Sequence, residues 1–477
     1  MYLKKFFIFK KFINKSNILS LIFLFTSATL LFIFFLKYSN ANANDYIRLK
    51  YLPYVLFFGV TIIFSFLSFL LRISTKINIL IFSISILIAL YIIEGYIILS
   101  FKNKYSNFEL NNKIKYDVRS KIEFYEDLKK KNSNVVLNVP IISSNNLYSN
   151  YNKDDLVPLS GVSNKLTITC NENGYFATYK SDRHGFNNPD KAWDENNIKF
   201  LLIGDSFVQG NCVNADYTIG AKLRKYSKKN VLNLGYNSTG PLEQYATLRE
   251  YLSKVKPKII IWFYFEGNDI QNLEQALSVE TLKKYLINKR FTQNLVGKQN
   301  KIDNLLNKKL RTTYEIEKKR KNKIKWMFNE KLTRTEIYIS YLKLSAVRKM
   351  TIDAFTYQLA IQKKGVPKEF KEIMILSKNL ARENNARFYF VYLPEKKRIQ
   401  KNNSHKNLKK YFLKNKIMNT VSALNIDTID ISKIIISKKI EIDSIYPFTN
   451  YGHFNEKGYD LIAKLVLDSI KKFENKK

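Results

Sequence analysis

The chain predicts an α/β protein: a doubly wound, mostly parallel five-stranded sheet preceded by three transmembrane helices. Two features of its 477 residues carry this expectation. Three long apolar runs fill the first hundred residues, and beyond residue 195 five short apolar segments alternate with helical stretches. Strands separated by helices form parallel sheets, because a parallel pair needs a crossover connection. A third observation says where chemistry belongs. Several of these strands end in small or polar residues, at the carboxyl edge where open α/β sheets hold their ligands.

The membrane region comes first. Residues 18–36, 51–71 and 77–100 each approach the ~20 apolar residues that span a bilayer, and almost no charge interrupts them. Lys4, Lys5, Lys10, Lys11 and Lys15 precede the first run, and Arg72 and Lys76 lie in the second loop. The positive-inside rule then puts the amino terminus in the cytoplasm and the large carboxyl-terminal part outside, periplasmic or extracellular. Lys102, Lys104, Lys113 and Lys115 after the third run narrow that margin. Ala41-Asn42-Ala43 has the form of a signal-peptidase site, but the run before it is longer than a signal core, so an uncleaved multi-pass anchor in the cytoplasmic membrane is expected. Glu94 falls roughly 26 Å along the third run at 1.5 Å per residue. That is near enough to the outer interface for a solvated carboxylate.

The formal net charge is +39, from 79 basic and 40 acidic residues. The lysines are spread over every segment rather than gathered into a phosphate footprint, so the expected partner is the membrane and not nucleic acid. Cys170 and Cys212 are the two cysteines, and His184, His405 and His453 the three histidines. This excludes a CxxC-based metal site, and neither a metal nor a cofactor is expected.

Residues 102–165 are charged and Asn-rich and read as stalk and lead-in, with a helix near 116–131. In residues 166–182 polar and apolar side chains alternate around Glu172-Asn173-Gly174, which predicts a hairpin turning at Asn173-Gly174. His184 follows in a loop and is expected at the surface. The first core strand lies in Lys199–Gly210, KFLLIGDSFVQG, where an apolar run closes on Gly204-Asp205-Ser206. Asp-Ser at a strand end either caps the next helix or presents a hydroxyl nucleophile.

Strands are further predicted near 230–234, 259–265, 388–393 and 428–431. The second ends in the small-residue loop Asn233–Gly240, with Pro241 opening a helix that carries Glu243 in its first turn. The third ends in Glu266-Gly267-Asn268-Asp269. Between the third and fourth lies a helical, basic insertion at about 271–350, either a solvated face or a lid or docking element. His405, in a lysine-rich helix, is expected to be exposed.

Three loops thus leave one sheet edge with Ser206, the Gly235–Gly240 stretch and Asn268, and His453 lies in the loop entering the last helix. Ester chemistry through a hydroxyl needs a nucleophile, an imidazole to move its proton, and donors for the oxyanion. Ser206 and His453 supply the first two. The backbone N–H of Ser206, the loop at Ser238 and Gly240, and the Asn268 amide supply the donors.

With these residues the chain resembles the SGNH, or GDSL-type, hydrolase family over roughly 179–472, with the insertion set aside. Gly204-Asp205-Ser206, Asn233–Gly240, Gly267-Asn268-Asp269 and His453 with Asn455 and Gly458 match its four blocks in order. The resemblance implies a flavodoxin-like SGNH domain at 166–477 behind a membrane region at 1–101. It implies a serine esterase acting through an acyl-enzyme, with Ser206 as nucleophile, His453 as base and Asn268 in the oxyanion hole. The expected substrate is an acylated carbohydrate or other envelope ester. An O-acyltransferase using the same Ser-His site and a non-catalytic envelope protein are the alternatives.

Two departures stand out. Gly267 and Asn268 are adjacent where the family has one residue between them, and Asn450 stands where it has an acid, three residues before the histidine. The histidine's orienting partner is therefore open among Asn450, a main-chain carbonyl and Asp443. Finally, an outward-facing domain keeps disulfides, so Cys170 and Cys212 are expected to be bridged beside the nucleophile.

Overall fold

A computed structural model of the chain describes residues 15–40, 45–112, 117, 119–140, 156–324, 338–339, 341–348, 350–351, 365–399, 412–447 and 452–475. The chain divides into two units, Met1–Asn107 with Leu332–Lys364, and Phe108–Lys331 with Gly365–Lys477.

The first unit contains three long helices: α1 (Lys15–Ser39), α2 (Asp45–Ser68) and α3 (Ile73–Asn112). Within them, Asn17–Ser39, Tyr51–Ser68 and Ile73–Ser100 are long and apolar enough to cross a membrane. Their large side chains point outward, Phe25, Phe57 and Phe82 among them, as they must where lipid replaces water as the solvent. α1 and α2 are held by rings, Phe34 stacking on Tyr54 at 4.7 Å and on Phe58 at 5.6 Å. Glu94 departs from expectation. It is fully buried rather than solvated, and its carboxylate accepts the backbone N–H groups of Ala346 and Val347 at 2.8 Å each.

The second unit is built on a five-stranded sheet of β4 (Ile198–Ile203), β5 (Asn230–Asn233), β6 (Ile259–Phe265), β7 (Arg387–Leu393) and β8 (Asp427–Asp430). Its order is β5-β4-β6-β7-β8 and every pairing is parallel. The alternation of side chains along a strand divides the core in two. Leu201, Ile203, Ile260, Trp262 and Tyr264 face α7 (Pro241–Tyr251) and α12 (Lys368–Glu383), while Phe200, Leu202, Ile261 and Phe263 face α6 (Ile219–Ser227) and the last helix, α15 (Glu456–Glu474). Burial on both faces explains why these strands read as continuous apolar runs. Each fully buried aliphatic or aromatic side chain contributes about 1.5–3 kcal/mol.

Ahead of this sheet lies a smaller one, in the order β1-β2-β3: β1 (Val135–Leu137), β2 (Leu166–Ile168) and β3 (Thr178–Lys180). β2 and β3 are antiparallel and form the expected hairpin, although their ladder is only three residues long. β1 adds to it in parallel, and α4 (Lys121–Lys131) packs Ile122 against Val135, Ile168 and Phe176. Residues expected as stalk thus form part of a folded lobe. Between β6 and β7 the insertion provides α8 (Asp269–Ala276), α9 (Glu280–Ile287) and α10 (Gln299–Ile324), whose Leu282, Tyr285, Ile302 and Leu306 join the main core. His184 is a correction: it is half-buried with its ring edge-on to Trp193 at 4.5 Å. His405 lies outside the described residues.

Candidate active site

β4 ends at Ile203, and the chain turns at once into α5 (Ser206–Gln209). Asp205 caps this turn, its carboxylate accepting the Phe207 N–H at 2.9 Å. The capping reading of Asp-Ser is met, and capping by Asp205 fixes Ser206 as the first helical residue. There its N–H belongs to the orphan donors of a helix start, and it has no protein acceptor among the described residues.

The Ser206 hydroxyl lies 2.8 Å from His453 Nε2. His453 precedes α15, whose cap Asn455 accepts the Gly458 N–H at 2.9 Å and donates its amide to the carbonyls of Ser444 and Tyr446. Phe207 packs against the imidazole with ring centroids 4.8 Å apart. Phe207 thus packs on the ring, while the Asn455 cap fixes the start of the helix that follows it.

On the far side of the ring stands Glu172. Both of its carboxylate oxygens lie 3.2 Å from His453 Nδ1, and one accepts the His453 backbone N–H at 2.5 Å. This assigns the proton to Nδ1, which donates to Glu172, and leaves Nε2 to accept the serine O–H. Gly452 makes the approach possible. Its φ of +143° suits glycine, and a Cβ there would strike the Glu172 carboxylate.

Glu172 was absent from the sequence candidates. Of the partners weighed for the histidine, Asp443 does not reach it: its carboxylate is 78 % exposed and pairs with Lys396 at 3.1 Å. Asn450 lies outside the described residues. Glu172 comes from the tip of the β2–β3 hairpin, which is tied down by the Cys170–Cys212 bridge, with Cα atoms 4.7 Å apart, and by Asn173 donating to the Cys212 carbonyl at 2.8 Å. Cys170, Glu172, Cys212 and His453 offer ligand atoms within 4.8 Å of one another. The two sulfurs are spent on each other, so the cluster suits no metal.

The charge balance around the imidazole is legible. Burial pushes the His453 pKa down, but the charge and hydrogen bond of Glu172 and the charge of Asp205 outweigh it, and the net shift is upward. Around Ser206, burial raises Asp205 and pushes Glu243 up to about 8. It also raises Asp269 well above the carboxylate range, with Asp205 and Glu243 adding to the effect. Burial thus favours the neutral form of Glu243 and Asp269, which limits the negative charge gathered behind this turn.

The loops after β5 and β6 flank β4 and thus Ser206. Tyr236 N–H donates to the Gly204 carbonyl at 3.1 Å, so the first of them is tied to the turn that carries Ser206. Ser238 sits there in the left-handed region at φ +61°. Gly240 is a correction. Its N–H is committed to the Glu243 carboxylate at 3.1 Å, in a capping arrangement at the start of α7, and is not free for a substrate. Gly240 is needed for a different reason, since a Cβ would collide with the backbone of Asn272 and Leu273 at the first turns of α8. Asn268 caps α8, and the Oδ1 end of its amide is buried with no partner among the described residues.

The strand order, the Asp205-Ser206 turn and the terminal histidine loop together make this an SGNH-type fold. No known family profile matches the chain, and no curated protein matches it. Among solved structures it is similar to a lipolytic protein of the G-D-S-L family from Desulfitobacterium hafniense DCB-2, at 13 % identity and TM-score 0.31, covering 58 % of this chain and 99 % of that one. It is similar to an acylhydrolase from Bacteroides fragilis NCTC 9343 at 11 % identity and TM-score 0.29, covering 59 % and 88 %. A third, the acetyl xylan esterase AlAXEase, has 14 % identity and TM-score 0.27, covering 57 % and 100 %.

Proposed function

We propose that the protein is a membrane-anchored serine esterase that removes O-acyl groups through an acyl-enzyme. The observation that carries this is the relay from Glu172 through His453 to Ser206, with 3.2 Å and 2.8 Å contacts on opposite nitrogens of one ring. In this reading Ser206 Oγ attacks the ester carbonyl as Nε2 takes its proton. The developing oxyanion is met by the Ser206 N–H, by the loop at Ser238 and by the Nδ2–H end of the Asn268 amide, a side chain that makes no cap hydrogen bond to its own helix. Collapse breaks the C–O bond, and the leaving alcohol takes the proton from His453. Water, deprotonated by the same imidazole, then releases the acid and restores Ser206.

Glu172 supplies the charge that Asn450 lacks, and favours the imidazolium formed in each step. This charge favours the catalytic reading over that of a non-catalytic protein. The net basic charge before the first span, three spans, and a bridged cysteine pair all favour an outward-facing domain. An acylated carbohydrate or other envelope ester is the substrate class within reach of such a domain. The test is reaction of the purified full chain with a fluorophosphonate. Wild type should label and Ser206→Ala should not, whereas equal labelling of both would overturn the assignment.

A further inference from the structure

We propose that the insertion between β6 and β7 returns to the bilayer: its described residues 338–339, 341–348 and 350–351 belong to a re-entrant element, immersed in lipid and latched to the third span through Glu94. This rests on the anchoring of α1 to α3 in a membrane and is independent of the esterase reading.

The chain itself sets the limits. Leu332–Lys364 groups with the three apolar helices, while the residues before and after it belong to the sheet-bearing unit. A segment whose two ends join the same globular unit must leave and return on one side of the membrane. About 33 residues are available, whereas two complete crossings need roughly 40. The segment therefore dips in without crossing.

The contacts are of the kind a hydrocarbon setting demands. Glu94, in the last part of the Ile73–Ser100 span, has both carboxylate oxygens occupied by the N–H groups of Ala346 and Val347, at the start of α11 (Ser345–Arg348). One turn earlier, Tyr91 and Tyr341 stack at 5.2 Å, the Tyr341 O–H donates to the Tyr91 carbonyl at 2.9 Å, and the Tyr91 O–H donates to the Leu342 carbonyl at 3.0 Å. Gly95 leaves room for the Tyr341 ring, 3.6 Å from where a Cβ would stand. Non-helical backbone at membrane depth must be satisfied by protein groups, and a carboxylate there must be paired. Each need is met by the other partner.

The occupant of the outer face follows from continuity. Ile339, Leu342 and Met350 are 44 %, 49 % and 60 % exposed, and the stretch of α3 that carries the contact residues Tyr91, Glu94 and Gly95 also exposes Ile92, Ile93, Tyr96 and Leu99, within a helix long and apolar enough to cross a membrane. Lys343 and Arg348, also exposed, are the cations such an element presents to lipid headgroups. The surface therefore fits acyl chains bordered by anionic headgroups.

The experiment uses the full chain in phosphatidylcholine/phosphatidylglycerol vesicles, spin-labelled singly at Ile339→Cys, Leu342→Cys or Met350→Cys. Ile86→Cys serves as the lipid reference and Lys438→Cys as the water reference. Relaxation by oxygen relative to a water-soluble nickel complex should match the Ile86 pattern at all three positions. A pattern matching Lys438 would overturn the proposal. So would shielding from both relaxants with broadening between labels, which would mean that a second copy covers the face. Adding Glu94→Ala should move Leu342→Cys towards the water pattern while Ile86→Cys stays unchanged; no movement at Leu342 would overturn the latch.

Discussion

The hairpin β2–β3 and the loop before α15 lie 281 residues apart between Glu172 and His453, yet they meet on one imidazole. The loop carries a recognisable pattern, with a histidine, a capping Asn455 and a helix start. The hairpin carries none that names a catalytic acid. Asp443, much nearer in sequence, turns away to Lys396. The contrast teaches that the charge behind this histidine is set by where a carboxylate is held, and that a separate lobe can hold it.

The first ways to break this comparison carry the largest effects. Ser206→Ala and His453→Ala should each lower ester turnover by roughly four to six orders of magnitude, as loss of nucleophile or base does elsewhere. Steady-state kinetics on a chromogenic acyl ester would check this. Glu172→Gln should cost roughly 10³–10⁴ in kcat, because the ring loses its anionic partner, while Asp443→Asn should leave kcat unchanged. A reversal of these two would restore the shorter-range acid and remove the hairpin from the mechanism.

Asn268→Ala should lower kcat by roughly 10²–10³ with little change in KM, the signature of a donor acting in the transition state. The bridge gives a smaller effect that sharpens the comparison. Replacing both Cys170 and Cys212 by Ser should destabilise the fold by about 2–4 kcal/mol, read by thermal unfolding, and lower kcat less than Glu172→Gln does. The reason is that Asn173 still ties the hairpin tip to residue 212.

Much of this arrangement is legible in the chain. The five strands announce themselves because burial on both faces leaves uninterrupted apolar runs, Ile259–Phe265 most plainly. Ser206, Asn268 and His453 announce themselves because each sits at a strand end or helix start with small neighbours. Glu172 was harder to find because its role depends on contact across the fold, which leaves no periodicity. One signal did point to it. A Cys170–Cys212 bridge carries residue 172 to within two positions of a cysteine held just beyond Ser206, so the expected disulfide already implied a carboxylate beside the site.

Gly240 and Glu94 were misjudged for related reasons. A backbone N–H at a helix start looks free until the first-turn acid, here Glu243, takes it. A carboxylate near a membrane interface looks solvated until a distant segment covers it, as Ala346 and Val347 do. Both outcomes follow from the rule that buried polar groups find partners, and in both the partner lies on an element that the local pattern does not specify.

The most direct test of the Glu172–His453–Ser206 relay is the pH dependence of the fluorophosphonate labelling rate, in wild type and in Glu172→Gln. Only neutral imidazole accepts the serine proton, and Glu172 raises the His453 pKa by favouring the charged form. Wild-type labelling should therefore be lost as pH falls through an inflection above the ordinary histidine value of about 6.5. Removing the charge should slow labelling at every pH and shift that inflection to lower pH. An unchanged rate and inflection in Glu172→Gln would contradict the account.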